Sequence, residues 1–115
     1  MDKKALVNKG MVPDCTCCDS TFRILPNGEW GVFFMTGGNT EPEPENYVAL
    51  CRSTDGGVSW ADKEYVIRNP NGGCTLSEVW IDGDAITIQV SFHAGHFECW
   101  HNYTIVSRDN GHTWS

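Results

Sequence analysis

No apolar run in this 115-residue chain approaches the roughly 20 residues that a membrane-spanning helix requires. Residues 1–12, MDKKALVNKGMV, also lack the apolar stretch of a secretory leader. Basic residues are scarce: 8 Lys and Arg stand against 15 Asp and Glu, for a net charge of -7. Nucleic acid and anionic membrane surfaces are both recognised through basic patches, so neither is an expected partner. A further absence concerns the thiols. Asp14-Cys15-Thr16-Cys17-Cys18-Asp19-Ser20 packs three cysteines into four positions, but no second pair follows at zinc-finger spacing. Structural thiols or a disulfide are therefore expected there, with no metal and no other cofactor. The 6 cysteines suit an oxidising compartment if they pair, whereas residues 1–12 direct no export, so the compartment stays open.

What the chain does contain is a repeat. Ser53-Thr54-Asp55-Gly56-Gly57-Val58-Ser59-Trp60 returns 54 residues later as Ser107-Arg108-Asp109-Asn110-Gly111-His112-Thr113-Trp114. Each copy follows a β-rich run. In a tight turn after a strand, Asp55 and Asp109 can accept hydrogen bonds from nearby backbone N–H groups. Gly57 and Gly111 suit a positive φ, and Trp60 and Trp114 can fold their rings back onto the hairpin. Ser53 and Ser107 complete the pattern. These eight residues are expected to shape turns, not to catalyse.

The repeat divides the chain into a leader (1–14), a first unit (15–71) and a second unit (72–115). In the first unit, residues 21–25 form a short strand stopped by Pro26-Asn27-Gly28, and residues 29–35 return from that turn as a buried strand. A Gly/Pro-rich acidic loop follows at 36–46, then strands at 47–52 and 63–67 on either side of the first octapeptide. The second unit repeats the hairpin: a strand at 78–81, the turn Asp82-Gly83-Asp84, then a strand at 85–92. At that 56-residue offset Cys18 aligns with Cys74. The loop at 93–102 is aromatic and His-rich where its counterpart was acidic, and a third strand follows at 103–106.

At the paired octapeptides the sequence resembles the Asp-box (bacterial neuraminidase repeat) β-propellers of the sialidase superfamily. The likeness covers residues 15–115, and a Cys-x-Cys-Cys ahead of a blade's first strand is also found in some secreted proteins of that kind. The resemblance implies an all-β fold: about two four-stranded blades of a six-bladed propeller, the second incomplete because Ser115 falls just past the second turn. The remaining blades, or self-association through exposed sheet edges, are then the expected protein partners.

The same resemblance implies a sialidase-like glycoside hydrolase or a related carbohydrate-active protein. The alternative is a non-catalytic propeller that binds glycan or protein. Alternating strands send the octapeptide turns to one end of each blade, leaving residues 15–20, 36–46, 72–78 and 93–102 at the end where substrate enters. Glycoside hydrolysis commonly uses two carboxyl groups about 5 to 10 Å apart. Sialidases carry an Asp acid/base in the loop corresponding to 36–46; here Glu41, Glu43 and Glu45 are its acids, and Glu43 is the candidate. Glu78 is the second catalytic candidate, or else a turn-satisfying carboxylate. His93 is the third, able to exchange a proton near neutrality. Candidate substrate contacts are Asp19, His96, Trp100 and His101 in the same loops, with Trp100 either stacking on a sugar ring or anchoring its loop. Arg23 joins them because sialidases open an inner strand with Phe/Tyr-Arg-Ile-Pro, whose Arg grips a carboxylate bidentately. This chain reads Phe22-Arg23-Ile24-Leu25-Pro26, with Leu25 interposed.

Overall fold

A computed structural model of the chain describes residues 4–94 and 99–115. Those residues form two antiparallel sheets and no helix. The first sheet has the order β1-β2-β3-β4, from β1 (Cys17–Ile24), β2 (Trp30–Thr36), β3 (Tyr47–Ser53) and β4 (Glu64–Arg68). The second has the order β5-β6-β7, from β5 (Gly73–Asp82), β6 (Ala85–His93) and β7 (His101–Ser107). Within each sheet every strand therefore pairs with its neighbour in sequence, while β4 and β5 belong to different sheets.

The pairing register brings out the internal repeat. Trp30 pairs with Ser53 and Thr36 with Tyr47 in the first sheet; Ile86 pairs with Ser107 and Phe92 with His101 in the second. With the octapeptide serines as anchors, Val32, Phe34, Ala49 and Cys51 correspond to Ile88, Val90, Tyr103 and Ile105. Call the face that carries these residues the front. The front of the second sheet packs against the back of the first: Ile86, Ile88 and Val90 are buried in one cluster with Phe33, Val48 and Leu50. Burying each such side chain contributes about 1.5–3 kcal/mol, so this layer holds the two sheets together. The front of the first sheet carries a smaller cluster, Phe34, Tyr47, Ala49 and Cys51, covered by Val7 of the leader and by Trp60. The sheets are thus stacked the same way round.

Several sequence boundaries shift. β1 starts at Cys17, four residues ahead of the expected strand, because the thiol segment pairs with Met35 and Thr36 before a bulge between Cys18 and Thr21. Asp19 lies in that bulge with φ 56°, inside a strand and not in a loop. β5 likewise starts at Gly73, five residues ahead of the expected strand, since Gly73 pairs with His93 and Cys74 with Phe92. Glu78 is consequently a mid-strand residue. Because Thr36 and Phe92 occupy equivalent places, their partners Cys17 and Cys74 are the equivalent thiols, and the alignment of Cys18 with Cys74 is corrected by one residue. His101 also belongs to a strand, β7. All six thiols are free.

The two octapeptide turns share one hydrogen-bond scheme. Ser53 Oγ donates to Asp55 Oδ1 at 2.8 Å and accepts from Gly57 N at 2.8 Å, while Asp55 accepts from Ser59 N and Oγ. Ser107, Asp109, Gly111 and Thr113 repeat those bonds at 2.8, 2.8, 2.8 and 2.6 Å. Gly57 and Gly111 have φ of 87° and 84°, a region that a β-carbon disfavours. Both aspartates are held below the usual carboxylate range, Asp55 at about 2, first by the hydroxyl bond from Ser59 or Thr113 and then by the amide bond from the same residue.

Candidate functional site

Both octapeptide turns lie at one end of the sheets, beside the β1–β2 and β5–β6 turns. The other end is formed by the start of β1, the β2–β3 loop, the β4–β5 link and the end of β6. Two asparagines give it shape. Buried Asn46 donates from Nδ2 to Gly37 O at 2.7 Å and Thr40 O at 3.0 Å, and its Oδ1 accepts from Glu43 N at 2.9 Å. Its own carbonyl accepts from Cys74 N at 3.1 Å. The acidic loop is thereby closed on itself and fastened to the second sheet. Asn69 does the same for the link, donating to Gly73 O and His93 O at 3.2 Å each.

His93 is buried at this end, and a Cβ on Gly73 would lie 2.3 Å from its Cε1 and 2.6 Å from Glu43 O. Only glycine lets the imidazole, the acidic loop and β5 come this close. The Trp100 ring lies 5.1 Å from the imidazole. Burial pushes the His93 pKa below its ordinary value, against the opposing pull of the Glu41 carboxylate. The ring is therefore neutral at pH 7 and suited to accept a proton.

Beside it, Cys18, Asp19 and Glu41 each offer one donor atom, all within 4.8 Å of one another. Desolvation, then the charges of Glu41 and Asp19, then a hydrogen bond with Glu41 push the Cys18 thiol up to about 12. Farther along the end, a shallow cavity of about 360 Å³ is lined by Asn69, Asn71, Phe92, His93, His101 and Tyr103, among others. Tyr103 packs on Phe92 with ring centroids 4.9 Å apart.

The structure thus brings Glu43, His93, Trp100, His101 and Asp19 to one end. His96 lies outside the described residues. Arg23 and Glu78 are placed apart from that group, on the edge strands β1 and β5 between the two sheets. Arg23 Nη2 donates to Glu78 Oε1 at 2.8 Å, and Arg23 Nε donates to Val79 O at 3.0 Å. Glu78 Oε1 also accepts from Val79 N at 2.8 Å. The two side chains chosen separately from the sequence are each other's partner, a half-exposed ion pair joining the sheets. Cys18 and Glu41 were not singled out as a pair, and no local motif announces them: they meet only once the loop closes around Asn46. A lone Asn between an acidic loop and a strand is the one signal that a closure of this kind leaves in a sequence.

No protein-family model matches the chain, and a search of curated proteins finds no match.

Proposed function

We propose that the two sheets are successive blades of a sialidase-like propeller, and that the protein acts on glycans at the end carrying Glu43, His93 and Trp100. The observation that carries the proposal is the division of labour between the ends. One holds two identical hydrogen-bonded turns whose aspartates are saturated by their own residues. The other holds the acidic loop, a buried neutral imidazole with an exposed indole beside it, and a cavity lined in part by His93 and His101. Stacking the same way round supports the blade reading, since repeating that step is how radial β architectures grow. In the hydrolytic form, Glu43 supplies the acid, His93 takes up a proton and Trp100 stacks on a sugar face, with His101 and Asp19 as polar contacts.

A specific observation favours a second, non-catalytic form. Glu78, a catalytic candidate by its expected place, and Arg23, which the resemblance assigns to gripping a substrate carboxylate, neutralise each other at 2.8 Å. Glycan binding without turnover needs neither. The test is a panel of aryl glycosides and a glycan array, run on the full chain and on Glu43→Gln, His93→Ala and Trp100→Ala. Turnover lost in Glu43→Gln, with KM raised in Trp100→Ala, supports hydrolysis. Glycan capture without turnover, weakened by Trp100→Ala, supports the binding form. Neither turnover nor capture on the whole panel ends the proposal.

A further inference from the structure

The trio Cys18, Asp19 and Glu41 is unusual in what surrounds it. Two carboxylates and a thiol converge from segments more than twenty residues apart, with donor atoms within 4.8 Å of one another. Among the described residues no Lys or Arg forms an ion pair with either acid, while Arg23, Arg52, Lys63 and Arg108 pair with other acids. Among the described residues, negative charge is thus gathered here without an ion-pair partner, in a chain whose net charge is already -7. Donor atoms this close can share one cation.

From this convergence of donors we infer that Cys18 Sγ and the carboxylates of Asp19 and Glu41 form a binding site for a borderline divalent ion of the zinc type. One soft and two hard donors select Zn²⁺ over Ca²⁺ or Mg²⁺, which take oxygen alone. Tetrahedral Zn²⁺ with bonds of about 2.0–2.3 Å sets its ligand atoms about 3.5 Å apart. The three groups therefore need to draw in by roughly 1 Å, a movement within reach of the exposed Asp19 and Glu41 side chains. Three protein ligands leave a fourth position facing solvent, as in zinc sites that hold water or substrate. When the ion binds, an S–Zn bond replaces the S–H bond and the proton leaves to solvent, with no change of oxidation state. The site shares Asp19 with the proposed glycan end, and its test reads metal binding without any glycan.

The full chain, reduced and stripped with a chelator, is titrated with ZnCl₂ by calorimetry in two buffers of different ionisation enthalpy, and with CoCl₂ by absorbance. A single equivalent of Zn²⁺ should bind with release of a proton, and Co²⁺ should develop a sulfur-to-metal charge-transfer band. Cys18→Ser should abolish the band. Glu41→Gln and Asp19→Asn, at exposed positions where folding is not at stake, should each weaken Zn²⁺ binding at least about tenfold, since even outer partners of metal sites cost that much. Cys15→Ser and Cys99→Ser should leave both readouts unchanged. Absence of saturable binding would overturn the site. So would wild-type affinity in Glu41→Gln and Asp19→Asn, or a band that follows Cys15 in place of Cys18.

Discussion

The two octapeptide turns are alike within themselves and unlike in what they touch. Trp60 lies on the front of the first sheet, over Phe34, Tyr47, Ala49 and Cys51, and its Nε1 donates to Gly57 O at 3.2 Å. Trp114 enters the layer between the sheets, edge-on to Phe33 with ring centroids 6.2 Å apart, and its Nε1 has no hydrogen-bond partner among the described residues. The middle of the turn differs too. A Cβ on Gly56 would meet nothing within 4 Å, whereas Asn110 in the same place joins the sheets. It accepts from Asn27 N at 3.1 Å, donates to Glu29 Oε1 at 2.9 Å, and offers its carbonyl to buried Arg52 at 2.5 Å. The motif therefore encodes the turn, while the neighbouring sheet decides how much stability hangs on it.

The largest expected effect comes from removing the rings. Trp114→Ala should lower the unfolding free energy by about 3 kcal/mol, near the low end for a large core truncation, and Trp60→Ala by about half as much. Urea unfolding of both variants measures this; equal losses would mean that the layer between the sheets has no special weight. Next is the turn centre. Asn110→Gly keeps the backbone conformation but removes two side-chain bonds, which should cost about 1–2 kcal/mol. The reciprocal Gly56→Asn, in open space, should stay within about 0.5 kcal/mol. A smaller contrast isolates the indole N–H. Trp60→Phe loses a hydrogen bond and should cost about 1 kcal/mol, whereas Trp114→Phe removes an unsatisfied buried donor, so its penalty should be smaller or absent.

The smallest effect is the one on which the turns should agree. A carboxylate whose folded pKa is depressed stabilises the fold above its unfolded pKa, and that contribution is lost as pH falls through the folded value. For Asp55 the window runs from 3.8 down to about 2. Thermal melts of Asp55→Asn and Asp109→Asn should therefore show a flatter decline over this range than the parent chain. His93 acts in a separate window: its lowered pKa makes the neutral ring the stable form, so its contribution is lost as pH falls below 6.5. Melts between pH 7 and 5 should soften in the parent and not in His93→Asn.

Much of the architecture was legible because it is local. Pro26-Asn27-Gly28 and Asp82-Gly83-Asp84 announce hairpins through turn chemistry, and the apolar runs beside them could pair only one way. The octapeptides carried their own hydrogen-bond donors and acceptors. What could not be read were the bulges. An extra residue in β1 and another in β5 leave no mark in composition, and the first places Asp19 in a strand. The two cancel in the alignment, and Cys17 is the counterpart of Cys74 because the chain from Ile24 to Trp30 is one residue longer than that from Ile81 to Ile86. Of the candidate site, Glu43, His93 and Trp100 were legible as loop chemistry at a common end. The Arg23–Glu78 pair and the Cys18–Glu41 contact were not, because both depend on how separate segments meet in space.

The same-way stacking leaves the pair of sheets with two unlike outsides. On the β1–β4 side, Phe22 and Ile24 remain 46% and 47% exposed beside a groove floored by Val32 and Phe34. On the β5–β7 side, Ser77, Ser91 and Asn102 are linked hydroxyl to hydroxyl to amide, among Thr75, Gln89 and Thr104. Trp80 stands 47% exposed on the same second face, opposite Thr87. The pair therefore has a grain: an apolar groove on one outside, and on the other a net of hydroxyls and amides around an indole.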